Sequence, residues 1–165
     1  MRYLYILTII LATSIYANSY NKIELSEAKK ELSYEIFKKL EKEHYLRKID
    51  KDNLNSQYFE AIFDRLDKNK NYFISNEVQK YLIKSKTNEV NNFDIELAYD
   101  LINLYFERLI EYSEFQINLI QTVDFDFTKD EYLDIFYEDN QWSTNFIDLK
   151  DLWRLETKND LLVAK

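Results

Sequence analysis

Glycine and proline are both missing from all 165 residues of this chain, where average usage would supply roughly a dozen of the first and about eight of the second. Without glycine there is no Walker A loop, no dinucleotide-binding turn and no nucleophile elbow, because each needs backbone that only glycine permits. Type I′ hairpins are poorly served too, which moves the fold away from tight β-meanders. Cysteine is also absent, so disulfides, zinc-thiolate sites and a catalytic thiol are excluded. The abundant Asn, Lys, Ile, Tyr and Phe have AT-rich codons, so part of the glycine deficit reflects base composition rather than structural design.

Apolar and aromatic residues make up 46% of the chain, enough for one sizeable core and too few residues for two comfortable domains. Residues 1–17, MRYLYILTIILATSIYA, begin with Arg2, continue as an apolar run and end on a small residue. That is the layout of a secretory signal peptide, too short for an ordinary membrane span, with cleavage expected after Ala17. The body, residues 18–165, is then expected to work outside the cytoplasm, in the periplasm or secreted, with no stable membrane span once the signal is removed. An uncleaved anchor is the alternative. The net charge of −8 argues against nucleic acid, whose phosphates it would repel. It is compatible with cations, a basic protein partner or plain solubility.

Hydrophobic spacing is helical nearly throughout. Leu25, Ala28, Leu32, Ile36 and Leu40 form one stripe within residues 21–45. Leu54, Tyr58, Ile62 and Leu66, widened by Phe59 and Phe63, predict a second helix over 52–66, and Val78, Tyr81 and Leu82 a short third over 76–84. Residues 95–121 read as one long helix with a break expected near Ser113. Two more are expected over 128–139 and from Asp148 to about Lys158.

Residues 67–78 read DKNKNYFISNEV. Calcium loops of the EF-hand type place oxygen ligands on alternate residues, a backbone carbonyl at the seventh position and a bidentate Glu at the twelfth. Asp67, Asn69, Asn71, the Phe73 carbonyl and Ser75 occupy the corresponding places, and Ile74 stands where a small β-bridge to a partner loop forms. The segment resembles an EF-hand. It departs from the pattern at Tyr72, where a glycine usually makes the turn, and at Val78, where the closing Glu belongs. Either Glu77 still reaches the ion from one place early, or the strongest ligand is missing. DFDFTKDEYL (124–133) and NFIDLKDLW (145–153) match only the second half of such a loop. Helix capping by Thr128 with Glu131, and by Asp148, satisfies the same patterns.

Other chemistry finds little support. His44 is the lone histidine and reads as a surface residue; no Ser or Thr has a visible base and orienter. The carboxylate pairs Asp124 with Asp126 and Asp130 with Glu131 read as solvated faces. Tyr105, Tyr112 and Phe115, with Phe59 and Phe63, read as core, and Trp142 and Trp153 as interface residues. The chain is thus expected to be a single all-α domain of about six helices, EF-hand-like and non-enzymatic. The resemblance implies an exported calcium-binding or calcium-responsive protein whose ligands are Asp67, Asn69, Asn71, Phe73 and Ser75, with Glu77 closing the site. A second reading, from size and acidity, is an immunity-type periplasmic protein that binds and neutralises a cognate toxin.

Overall fold

The computed structural model describes residues 21–43, 51–87, 94–134 and 141–164. Residues 1–17, read above as a signal segment, and His44 lie outside them. Within them are five α-helices: Glu27–Glu43 (α1), Lys51–Leu66 (α2), Ser75–Thr87 (α3), Ile95–Thr122 (α4) and Phe146–Val163 (α5). No strand occurs among the described residues, and one isolated parallel bridge joins Ile74 to Ser143. The all-α, single-domain expectation holds. The expected sixth helix over 128–139 is not seen among the described residues: 128–134 form turn and irregular backbone rather than a helix start, and 135–139 lie outside them. Asp126 accepts both the Thr128 N–H (2.9 Å) and its hydroxyl (2.7 Å), closing an Asx-type turn of the kind that competes with helix. Glu131, expected to complete a capping box, instead binds Lys158 and Arg154 on α5.

The main core lies where α2, α3 and α4 meet. Phe59, Phe63, Phe73, Val78, Leu97, Ala98 and Leu101 are buried together, with Tyr81, Tyr105 and Trp142 packed around them. Phe63 meets Phe73, Tyr81 and Trp142 edge-on, the arrangement that ring quadrupoles favour. A second patch joins α4 to α5, where Trp153 and Leu149 are fully buried and Tyr112 and Phe115 lie against the indole. Trp153 therefore belongs to the interior and not to a docking face, contrary to its reading as an interface residue.

Caps set the helix starts. Asp94 accepts the Leu97 N–H at the start of α4. Asn145, and not Asp148, caps α5 by accepting the Ile147 and Asp148 N–H groups, which satisfies two of the orphan donors every helix start exposes. Helix α4 runs unbroken through Ser113, whose hydroxyl bonds back to the Leu109 carbonyl. Asn103 of the same helix, buried, both donates to the Ile23 carbonyl and accepts the Ile23 N–H, clamping the segment that leads into α1. No helix among the described residues is long and apolar enough to cross a membrane.

Candidate functional site

Between α2 and α3 the chain makes a tight turn that is organised by one side chain. Asp67 is almost wholly buried. Its Oδ1 accepts the Asn71 N–H at 2.6 Å, its Oδ2 the Phe73 N–H at 3.1 Å, and both oxygens share the Tyr72 N–H at 3.2 Å. The Trp142 indole N–H donates to Oδ2 from across the fold at 3.0 Å. Lys70 takes the left-handed conformation, with φ of 60°, a place that glycine or asparagine fills at lower steric cost. Its ammonium lies over the Trp142 ring.

The turn is then locked to α4 and α5. The Asn71 amide donates to Glu156 Oε1, and the Trp153 indole donates to the Asn71 carbonyl at 2.6 Å. Tyr112 donates its phenol proton to Glu156 Oε2 at 3.2 Å, and Gln116 in turn donates to the Tyr112 oxygen. The Tyr72 ring meets Tyr105 and Tyr112 edge-on. A few residues of turn thus touch helices that lie far along the chain.

The electrostatics of this joint are unusual because two buried carboxylates share it. Burial raises the Asp67 pKa, against the pull of its hydrogen-bond donors, and burial likewise raises that of Glu156. Burial and the neighbouring Glu156 also raise the Tyr112 pKa, so the phenol stays a proton donor. Glu131 is the opposite case: hydrogen bonds from Lys158 and Arg154 hold its carboxyl down at about 2. The signs follow from linkage. A raised carboxyl pKa means that the folded state takes up its proton first, so lowering the pH from neutral through the folded values of Asp67 and Glu156 stabilises the fold. The Glu131 contribution is present above its ordinary value of 4.5 and is lost as pH falls toward about 2. Urea midpoints across pH are therefore expected to rise on mild acidification and to drop at stronger acidity. Glu156→Gln should flatten the rising limb; a midpoint that falls steadily from neutral pH would contradict this assignment.

Of the residues singled out in the sequence, Asp67, Asn71 and Phe73 are brought together, and Phe73 is buried in the core. Asn69 is exposed, and Ser75 opens α3 with its N–H on the Ser143 carbonyl. Glu77 caps the Ile74 N–H and forms an ion pair with Arg108 of α4. Arg108 also pairs with Glu111 and stacks over Phe146. Among the described residues, no group of three or more His, Asp or Glu side chains is arranged to hold a metal ion. Sequence reasoning missed Glu156 and Arg108, and it read Tyr112 as core without its hydrogen bond to Glu156. Their one sequence signal is a polar residue in phase with an apolar helical stripe, such as Glu156 three places after Trp153.

Residues 36–165 match the family model of the tail-specific protease N-terminal domain. The chain belongs to that family. The match takes in α2 to α5 and the whole joint around Asp67. It overturns the EF-hand resemblance and the calcium-binding and calcium-responsive functions drawn from it, and it gives no support to a toxin-neutralising immunity protein. The physical reason for the misreading is visible in the turn. Alternate Asp and Asn residues are what a tight polar turn uses to collect backbone N–H groups, and here Asp67 collects three. Comparison with curated proteins gave no match.

Proposed function

We propose that this chain is a non-catalytic helical module that serves tail-specific proteolysis, holding a protein substrate in place for a protease centre located elsewhere. The observation that carries this reading is the family match over residues 36–165. It is supported by the chemistry of the chain. Cysteine is absent, so a thiol nucleophile is excluded. The polar groups at the joint are committed to holding helices. Its net charge of −8 favours a partner with a positive surface over nucleic acid.

Incubated alone with a protein that ends in an unstructured apolar tail, the full chain is expected to leave it intact. Adding a tail-specific protease catalytic module should give cleavage whose rate depends on the chain. Cleavage by the chain alone would refute the non-catalytic assignment, and a rate indifferent to the chain would remove the link to proteolysis. We further propose export, carried by the signal-like residues 1–17. N-terminal sequencing of the protein from producing cells is expected to start at Asn18; a retained Met1 would refute signal cleavage.

A further inference from the structure

Beyond the end of α4 the chain runs on as an extended segment. Residues 124–134 lie outside any helix, and their burial alternates: Phe125, Phe127, Glu131 and Leu133 are half-buried, while Asp124, Asp126, Asp130 and Tyr132 are exposed. A period of two is the pattern of an extended chain with one side laid against a surface. It is interrupted at residues 128–130, where Asp126 closes its turn on Thr128. Among the described residues, none of the fully buried apolar side chains comes from this segment. One carboxylate ties it to the last helix. Glu131 Oε2 accepts from the Lys158 ammonium at 2.5 Å, and Oε1 faces the Arg154 guanidinium at 2.9 Å. The Lys158 and Glu131 side chains are only 11% and 16% exposed, although both belong to residue types that ordinarily stay in water. Arg154 is held in place by a second pair, with Asp151.

We propose that residues 124–134 form a strap, latched onto α5 by Glu131 between Arg154 and Lys158, and that rising ionic strength releases it. The strap lifts while the core stays packed, because the side chains that fill the core come from α2, α3, α4 and the turn between α2 and α3. A segment with little fully buried surface belongs to the low-stability end of a protein, where opening is local. Lifting it uncovers the inner sides of Phe125, Phe127 and Leu133 and frees two cations of α5 for another anion. Ionic strength is the signal, and not pH. The hydrogen bonds that hold the Glu131 carboxyl at about 2 keep it charged at ordinary pH, whereas ion pairs weaken as the screening length falls to about 3 Å in 1 M salt. The strap stands independently of the proposed role in proteolysis.

The test is limited trypsin digestion of the full chain, following by mass spectrometry the cut after Lys129, in the strap, and the cut after Lys84, in α3. Both cuts share enzyme, salt and global stability, so the ratio of their rates reports opening of the strap alone. When reclosing is fast, cutting tracks the open population. The ratio is expected to rise roughly threefold to tenfold between about 0.1 M and about 1 M sodium chloride, the scale of two partly exposed ion pairs. Lys158→Gln should produce that rise already at low salt and abolish the salt response, with the sequence around the Lys129 cut unchanged. Glu131→Gln, at a position outside the helices, should do the same, and it decides the question should Lys158→Gln fail to fold. A ratio indifferent to salt and to the substitutions overturns the strap. So does a Lys84 rate that climbs in step with the Lys129 rate, since the whole domain would then be loosening.

Discussion

Asp67→Ala is expected to destabilise the fold by about 3 kcal/mol, chiefly by leaving buried N–H groups unpaired. The Asn71 and Phe73 N–H groups both sit in buried surroundings and donate to this carboxylate, and the Trp142 indole would lose its acceptor as well. Each buried orphan costs on the order of 1–3 kcal/mol. Relief of the burial that raises the Asp67 pKa offsets part of the sum. Asp67→Asn separates the two effects, since it keeps one acceptor oxygen and discards the buried charge, and it should cost clearly less than the alanine variant. Urea unfolding followed by circular dichroism measures both. Equal losses in the two variants would mean that charge, and not hydrogen bonding, organises the turn.

Trp153→Ala should be the more damaging substitution, at about 3–5 kcal/mol, as for other large buried aromatics truncated in a core. Its indole is fully buried, contacts the Tyr112 and Phe115 rings and supplies the hydrogen bond to the Asn71 carbonyl. Against a typical total of about 5–15 kcal/mol, that loss brings the domain close to unfolding. Trp153→Phe keeps most of the packing and deletes the donor, so its cost should fall well below that of alanine. Because the chain has only two tryptophans, Trp142 emission in either variant reports directly on the turn. A red shift on Trp153→Ala is expected, since loosening α5 frees the turn and with it the Trp142 ring.

Helix positions were largely legible because period alone determines them. The stripe through Leu54, Tyr58, Ile62 and Leu66 predicted 52–66, and the helix spans Lys51–Leu66; 95–121 became Ile95–Thr122. Side-chain assignments fared worse wherever one pattern serves two physical ends. Alternate oxygens at Asp67, Asn69 and Asn71 suit a cation and suit a turn, and only the positions of the neighbouring N–H groups distinguish them. Thr128 with Glu131 spells a helix cap, but Asp126 reaches Thr128 first. Glu156 could not be paired with Asn71 in advance, because nothing local links residues 85 positions apart. In α1 the stripe itself was read correctly as helical, yet Leu32 and Ile36 of it stay exposed.

The long sequence span of the joint has a consequence for biosynthesis. The Asp67 turn receives its outside donor from Trp142 and its lock from Trp153 and Glu156, so the first half of the domain is incomplete until the last helix has left the ribosome. At roughly 5–20 residues per second, the 85 residues that separate Asn71 from Glu156 take on the order of 4–17 s to synthesise. Throughout that interval α2 and α3 lack these closing contacts. If the chain is exported as proposed, folding so late would suit passage through a narrow translocation pore.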